Sequence, residues 1–211
     1  MTMPTAVRDH ALQIAHHEMG HYVIARALGF ATGGVTLTVA MDLRHQGGAA
    51  ITLARSITSL EALKTHLEAR MIVLLAGAMA QTLPAKSSAG QRVDKSKATA
   101  ILKGEQGAQQ DYAKIRELQH LLRNILYPET APAASERITA ELKTLTDRAW
   151  QQAQDIVEEL SGTITELAAA LVGGMVIVEQ WGRAADTFEV VLTGQMLERL
   201  RAVQAIPVLH I

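Results

Sequence analysis

The sequence contains no cysteine, so disulfides and thiolate metal sites are excluded. Any metal ion must be held by nitrogen and oxygen donors of His, Asp or Glu. A dominant charge is missing as well: 20 basic residues face 21 acidic ones, which leaves no overall field to recruit nucleic acid or an anionic lipid surface. Long apolar runs are also absent. The richest windows, residues 71–80 and 168–178, stop far short of the roughly 20 residues that a bilayer-crossing helix needs. The first residues, Met1-Thr2-Met3-Pro4-Thr5, lack the basic-then-apolar pattern of a secretory leader. The expectation is a cytoplasmic chain with no membrane span and no nucleic-acid partner.

What is present fits a folded chain. Hydrophobic residues make up 48% of its 211 positions and charged ones 19%, a globular balance with enough length to bury a core. Residues 6–28 carry no proline and are rich in Ala, Leu, Ile, Met and Arg until Gly29, which predicts a first helix and its stop. Gly33-Gly34 then opens the alternating Val35-Thr36-Leu37-Thr38-Val39. After a turn-rich stretch over 44–48, residues 49–53 read as its partner strand, so a β-hairpin is expected. Leu60, Leu63, Leu67, Met71, Leu74, Leu75 and Met79 recur at three and four residues, the mark of a long apolar-faced helix ending near Pro84. The 84–107 stretch reads as a long loop holding a short helix over 96–103. Helices follow over 108–126 and 135–160, the latter with Ser135 placed to cap it. The last third alternates helical stretches, over 163–171 and 193–203, with a Gly173-Gly174 break and the apolar run 175–178. The predicted fold is mainly α with a small β-hairpin or sheet (α+β). A division near Pro132 separates a core over 1–130 from a helical part over 131–211 packed on it, unless the two merge as one domain.

Inside the first helix stands His17-Glu18-Met19-Gly20-His21, an HExxH pattern. Four residues advance an α-helix by about 400°, so His17 and His21 lie on nearly the same face and both imidazoles can reach one metal ion. Zinc in catalytic sites usually takes three protein ligands and a water, lowers that water's pKa towards about 7 and polarises a carbonyl. Glu18 projects beside such an ion rather than onto it, where it can take the water's proton. The alternative is a fortuitous match on a surface helix. His16 sits about 100° round the helix, so it is expected to face solvent or a neighbouring element. His10, His45, His66, His120 and His210 have no motif context and read as solvated or hydrogen-bonded. The third ligand is not local, because Ile24 and Ala27 stand where the extended HExxHxxGxxH pattern would place its glycine and last histidine.

The motif and its surroundings resemble the peptidase domain of the FtsH family, the AAA-linked membrane zinc proteases, whose zinc helix reads His-Glu-Ala-Gly-His. Three further features match in order: the hairpin with Val35-Thr36-Leu37, the segment Leu74-Leu75-Ala76-Gly77-Ala78-Met79-Ala80, and Gly107-Ala108-Gln109-Gln110-Asp111. The last is similar to the family's Gly-Ala-x-x-Asp, whose aspartate is the third zinc ligand. The resemblance covers about residues 7–126 and implies a site of His17, His21 and Asp111. Asp94, Asp147, Asp155 and Glu117 are the other carboxylates considered, and none lies in a matching segment. Asp111 also suits the first turn of its helix, where a negative charge complements the dipole. Gln81 and Thr82 stand where the family has paired glutamates.

Motif and resemblance together imply a zinc-dependent metalloendopeptidase of the HExxH zincin type, with Zn2+ on His17, His21 and Asp111 and Glu18 as general base. Its expected substrate is unfolded or flexible polypeptide. No Gly-Lys-Ser or Gly-Lys-Thr phosphate loop occurs in these residues, so an ATP-independent, stand-alone peptidase is expected. A homo-oligomer and a separate ATPase partner both stay open. The alternative is a catalytically silent binding or adaptor module of the same fold, working with a separate ATPase or partner. A structural zinc site is the third reading, and structural sites usually close with four protein ligands.

Overall fold

The computed structural model describes residues 2–53, 56–86, 91–104, 108–178 and 187–210. Along the chain run α1 (Thr5–Ala27), β1 (Ala31–Ala40), β2 (His45–Thr52), α2 (Leu60–Ala80), α3 (Lys95–Lys103) and α4 (Gln109–Leu126). They are followed by α5 (Ser135–Glu159), α6 (Ser161–Gly173), β3 (Val176–Val178), β4 (Thr187–Leu192), α7 (Gly194–Leu197) and α8 (Arg201–Gln204). The fold is mainly helical with one small antiparallel sheet.

The motif helix is no surface helix. Every residue over 14–25 of α1 is buried, polar ones included, because α2, α6 and the sheet close around it. Its end is set by Gly29, whose φ of 75° a residue with a Cβ rarely adopts. There Gly29 N–H donates to Arg26 O at 3.0 Å and Phe30 N–H to Ala25 O at 2.9 Å, the paired bonds of a Schellman stop. Helix α2 starts on Ser59, whose hydroxyl accepts from Ala62 N–H, and is buried throughout 71–80. The two helices meet at Gly20. A Cβ there would lie 2.6 Å from Ala80 Cβ and 2.8 Å from Ala76 O, so only glycine allows the backbones this close.

Val35, Leu37 and Val39 of β1 are fully buried while Thr36 is exposed, the period-2 pattern of a strand with one face on the core. The sheet order is β2-β1-β4-β3. Register pairs Leu37 with Gly47 on one side and with Val190 on the other. One hydrophobic cluster runs from Val7 to Val203 and takes residues from α1, α2, α5, α6, β1 and β4, so both sides of Pro132 contribute to it.

Several expectations need correction. The hairpin is half of a four-stranded sheet, because Thr187–Leu192 returns beside β1. The apolar run near 175 supplies β3 against β4. The second strand begins at His45 and includes Gly47 and Gly48, where glycine density reads as a turn. The turn itself lies over 41–44 and holds Leu43 at φ 68°. Ser135 is not a cap: Ala134 occupies that position and no side chain caps α5. The helix expected over 193–203 is two short ones, α7 and α8, with Thr193 capping the first by accepting from Met196 N–H. Gly107 of the Gly-Ala-x-x-Asp match lies outside the described residues, as do parts of the 84–107 loop.

Candidate metal centre

The i, i+4 spacing on α1 stacks the His17 and His21 rings on one face, with centroids 4.7 Å apart. Their partners determine which nitrogen each presents. His21 Nδ1–H donates to Val73 O at 2.8 Å, and a carbonyl can only accept. His17 Nδ1–H donates to Gln81 Oε1 at 3.0 Å. Both Nε2 lone pairs are therefore turned inward, the outer-shell arrangement that orients metal-binding histidines. Val73 and Gly77 lie four residues apart on α2, and Gln81, four further on, is its C-cap, so one stripe at the end of that helix faces both imidazoles.

Asp111, in the first turn of α4, brings its Oδ2 to 3.3 Å from His17 Nε2 and 3.1 Å from His21 Nε2. The two Nε2 atoms are 3.1 Å apart. Ligands about 2.0 to 2.1 Å from a tetrahedral zinc stand about 3.3 Å from one another, so this triangle has the size of one face of such a site. Among the described residues this is the one group of three or more His, Cys, Asp or Glu side chains arranged to hold a metal ion. The donor set of two neutral imidazoles and a carboxylate suits zinc. Burial pushes the Asp111 carboxyl up, but hydrogen bonds with His17 and His21 outweigh it and hold it well below the usual carboxylate range. For His21, burial pushes the imidazole down, and Asp111, with smaller contributions from Glu18 and the Val73 carbonyl, raises it above its usual value.

Two glycines keep the space open. A Cβ on Gly77 would lie 2.9 Å from His17 Nε2 and collide harder with His21 Nε2. A Cβ on Gly47 would lie 2.5 Å from Glu18 Oε1, so β2 passes against the Glu18 carboxylate only because it has no side chain there. Glu18 is nine-tenths buried and lines two adjoining clefts. One, of about 220 Å³, is formed with His17, His21, Gly47, Arg70 and Asp111; the other, of about 340 Å³, with Ile14, His45 and Gln81.

The structure thus brings His17, Glu18, His21 and Asp111 to one cleft. The other carboxylates lie elsewhere: Asp94 caps α3 by accepting from Lys97 N–H at 2.9 Å, Asp147 pairs with Lys143, and Asp155 accepts from Gln151. Glu117 is exposed on α4 outside the cluster. His16 is buried, at 1% exposure, and burial pushes its imidazole down to about 4. His10 and His45 bond to each other at 3.0 Å, and His66 stacks edge-on to Phe30. Sequence reasoning missed the roles of Gln81, Gly77 and Gly47 and the presence of Arg70 and Lys114 in the cleft lining. A glycine within the apolar end of α2 and a glutamine four residues on, at its C-cap, were the available signal for the first two. Compared with known proteins, the chain matches no family model and no curated sequence.

Proposed function

We propose that this chain is a zinc-dependent metallopeptidase that hydrolyses peptide bonds in unfolded or flexible cytoplasmic polypeptide, with a peptidase core of the FtsH type. The observation that carries the reading is the convergence of His17 Nε2, His21 Nε2 and Asp111 Oδ2 at 3.1–3.3 Å beside the Glu18 carboxylate. Zinc bound there would polarise the scissile carbonyl and acidify the attacking water. His17, His21 and Asp111 would hold the ion, and Gln81 and the Val73 carbonyl keep the two rings in the required tautomer and orientation. Among the described residues Glu18 acts on His21 through its charge alone and makes no hydrogen bond, which leaves its carboxylate to accept the water's proton and deliver it to the leaving amine. Strand β2 is the outer strand on this side of the sheet, and Gly47, Gly48, Ala49 and Ile51 line the cleft. An extended peptide can add to that edge through its backbone, which places its carbonyls along the cleft whatever its side chains are. Gly47, by letting β2 approach Glu18, brings the bound backbone close to the base.

The test is the zinc content of the purified chain beside His17→Ala, His21→Ala and Asp111→Ala, followed by cleavage of casein and a quenched peptide library. About one zinc per chain, lost in the histidine variants together with cleavage, is expected. Full metal retention in both histidine variants, or a zinc-loaded wild type inert towards every substrate, would overturn the proposal.

A further inference from the structure

The cleft contains two cations that the proposed chemistry does not use. Arg70 on α2 and Lys114 on α4 line it together with His17, Glu18, His21 and Asp111. Arg70 is half-buried, and neither side chain has a hydrogen-bond or ion-pair partner among the described residues. An exposed lysine needs no counter-charge, but a guanidinium half-drawn into a cleft wall loses part of its hydration and is well placed to take an anionic partner. Burial depresses Arg70 and the nearby Asp111 charge only partly offsets this. Neither of the cleft's own carboxylates pairs with them among the described residues: Asp111 Oδ2 faces both histidines, and Glu18 lies on the other side against Gly47. Lys114 follows Asp111 by one helical turn, so its ammonium rises from the same face of α4. The whole chain has a net charge of −1, so this positive wall is a local feature of the cleft.

We propose that Arg70 and Lys114 form a carboxylate-recognition subsite and that the preferred substrates are acidic polypeptide segments. The carboxylate comes from an Asp or Glu side chain within a few residues of the bond to be cut, or from a free C-terminus beside it. A guanidinium offers a planar fork that fits a carboxylate in two bonds, and the lysine adds a mobile point charge. The inference rests on the peptidase reading, whose edge strand β2 would hold the peptide backbone across the cleft while this wall reads its charge.

The experiment measures binding of fluorescent ten-residue peptides to the zinc-loaded Glu18→Gln chain, so that no turnover intervenes. One peptide carries interior Glu residues and an amidated C-terminus, one replaces each Glu by Gln, and one pairs the Gln sequence with a free C-terminal acid. An acidic peptide should bind about tenfold or more tighter than the neutral one. Whichever acidic form shows that gain identifies the carboxylate's source. In the Arg70→Gln/Lys114→Gln background the gain should vanish while the neutral peptide's affinity stays within about twofold. Equal binding of all three peptides would overturn the subsite, as would a gain that survives the double substitution and disappears only on zinc removal. The first comparison needs no variant of the wall, so misfolding of the double variant does not protect the idea. Wild-type cleavage of the same peptides separates the two proposals: cutting without acid preference sinks the subsite alone, and acid-selective binding without any cutting sinks the peptidase reading alone.

Discussion

Glu18 and Gln are nearly isosteric, yet an amide cannot accept a proton from water. Glu18→Gln is therefore expected to keep fold and zinc while kcat/KM falls about 10²- to 10⁴-fold, measured on a quenched peptide at matched zinc content. Equal rates at equal loading would remove Glu18 from the chemistry. Gly77 tests the metal side. Its added Cβ in Gly77→Ala points at both Nε2 atoms, so zinc stoichiometry should fall close to zero with the circular dichroism unchanged, read by metal analysis. Gln81→Leu removes the acceptor for His17 Nδ1 and should weaken zinc affinity about 10- to 100-fold without abolishing it, measured by chelator competition. At this scale His17, Glu18 and His21 were legible from spacing alone, because four residues of helix bring two side chains together wherever the helix lies. Gln81, Gly77 and Gly47 were not, since their roles depend on which element passes in front of the motif helix.

The crossing of α1 and α2 depends on Gly20. Gly20→Val places branched carbons against Ala80 and the Ala76 carbonyl, and overpacking of this kind costs about 1–3 kcal/mol. A thermal melt should show a Tm several degrees lower, and an unchanged Tm would mean the helices do not meet as closely as described. Helices α4 and α5 are joined through Glu141, which accepts from Arg123 Nε at 2.8 Å, from Thr130 Oγ1 at 2.7 Å and from Arg137 Nε at 2.9 Å. Burial pushes its carboxyl up, but those hydrogen bonds prevail and hold it below its usual value of 4.5. A group whose folded value is depressed adds stability above its unfolded value and loses it as the pH falls. The stability gap between wild type and Glu141→Gln should therefore narrow as the pH drops below about 4.5, followed by urea unfolding at several pH values. A gap that is constant with pH would show that the charge of Glu141 contributes nothing. Helices α1, α2, α4 and α5 were legible from periodicity and breakers. The sheet was only half legible, because Thr187–Leu192 finds its partner about 150 residues away and glycines inside β2 mimic a turn.

In the whole molecule the candidate centre ties α1 to α4 across 94 residues of chain, so metal binding is linked to folding. At zinc about a thousandfold above its Kd, the chain gains about 4 kcal/mol, which for this length raises Tm by about 10 °C. Differential scanning calorimetry with zinc and with a chelator checks this, and a Tm indifferent to zinc would mean the site is not formed as described. No described helix is long and apolar enough to cross a membrane, in line with the short apolar runs of the sequence. Composition and local spacing by themselves determined the mainly helical class, the exclusion of thiolate ligands and the paired histidines with their neighbouring glutamate. These follow from properties of a single segment, its residue types and the period of one helix. Tertiary packing decided what no single segment contains. It buried the motif helix on nearly every side and brought Asp111 to both imidazoles. It also put Gln81 and the Val73 carbonyl behind the two rings, made β2 an outer strand of the described sheet and set Arg70 and Lys114 into the cleft wall. Contacts between segments tens of residues apart depend on how whole elements cross, and that crossing is set by close approach at positions such as Gly20, which local patterning does not encode.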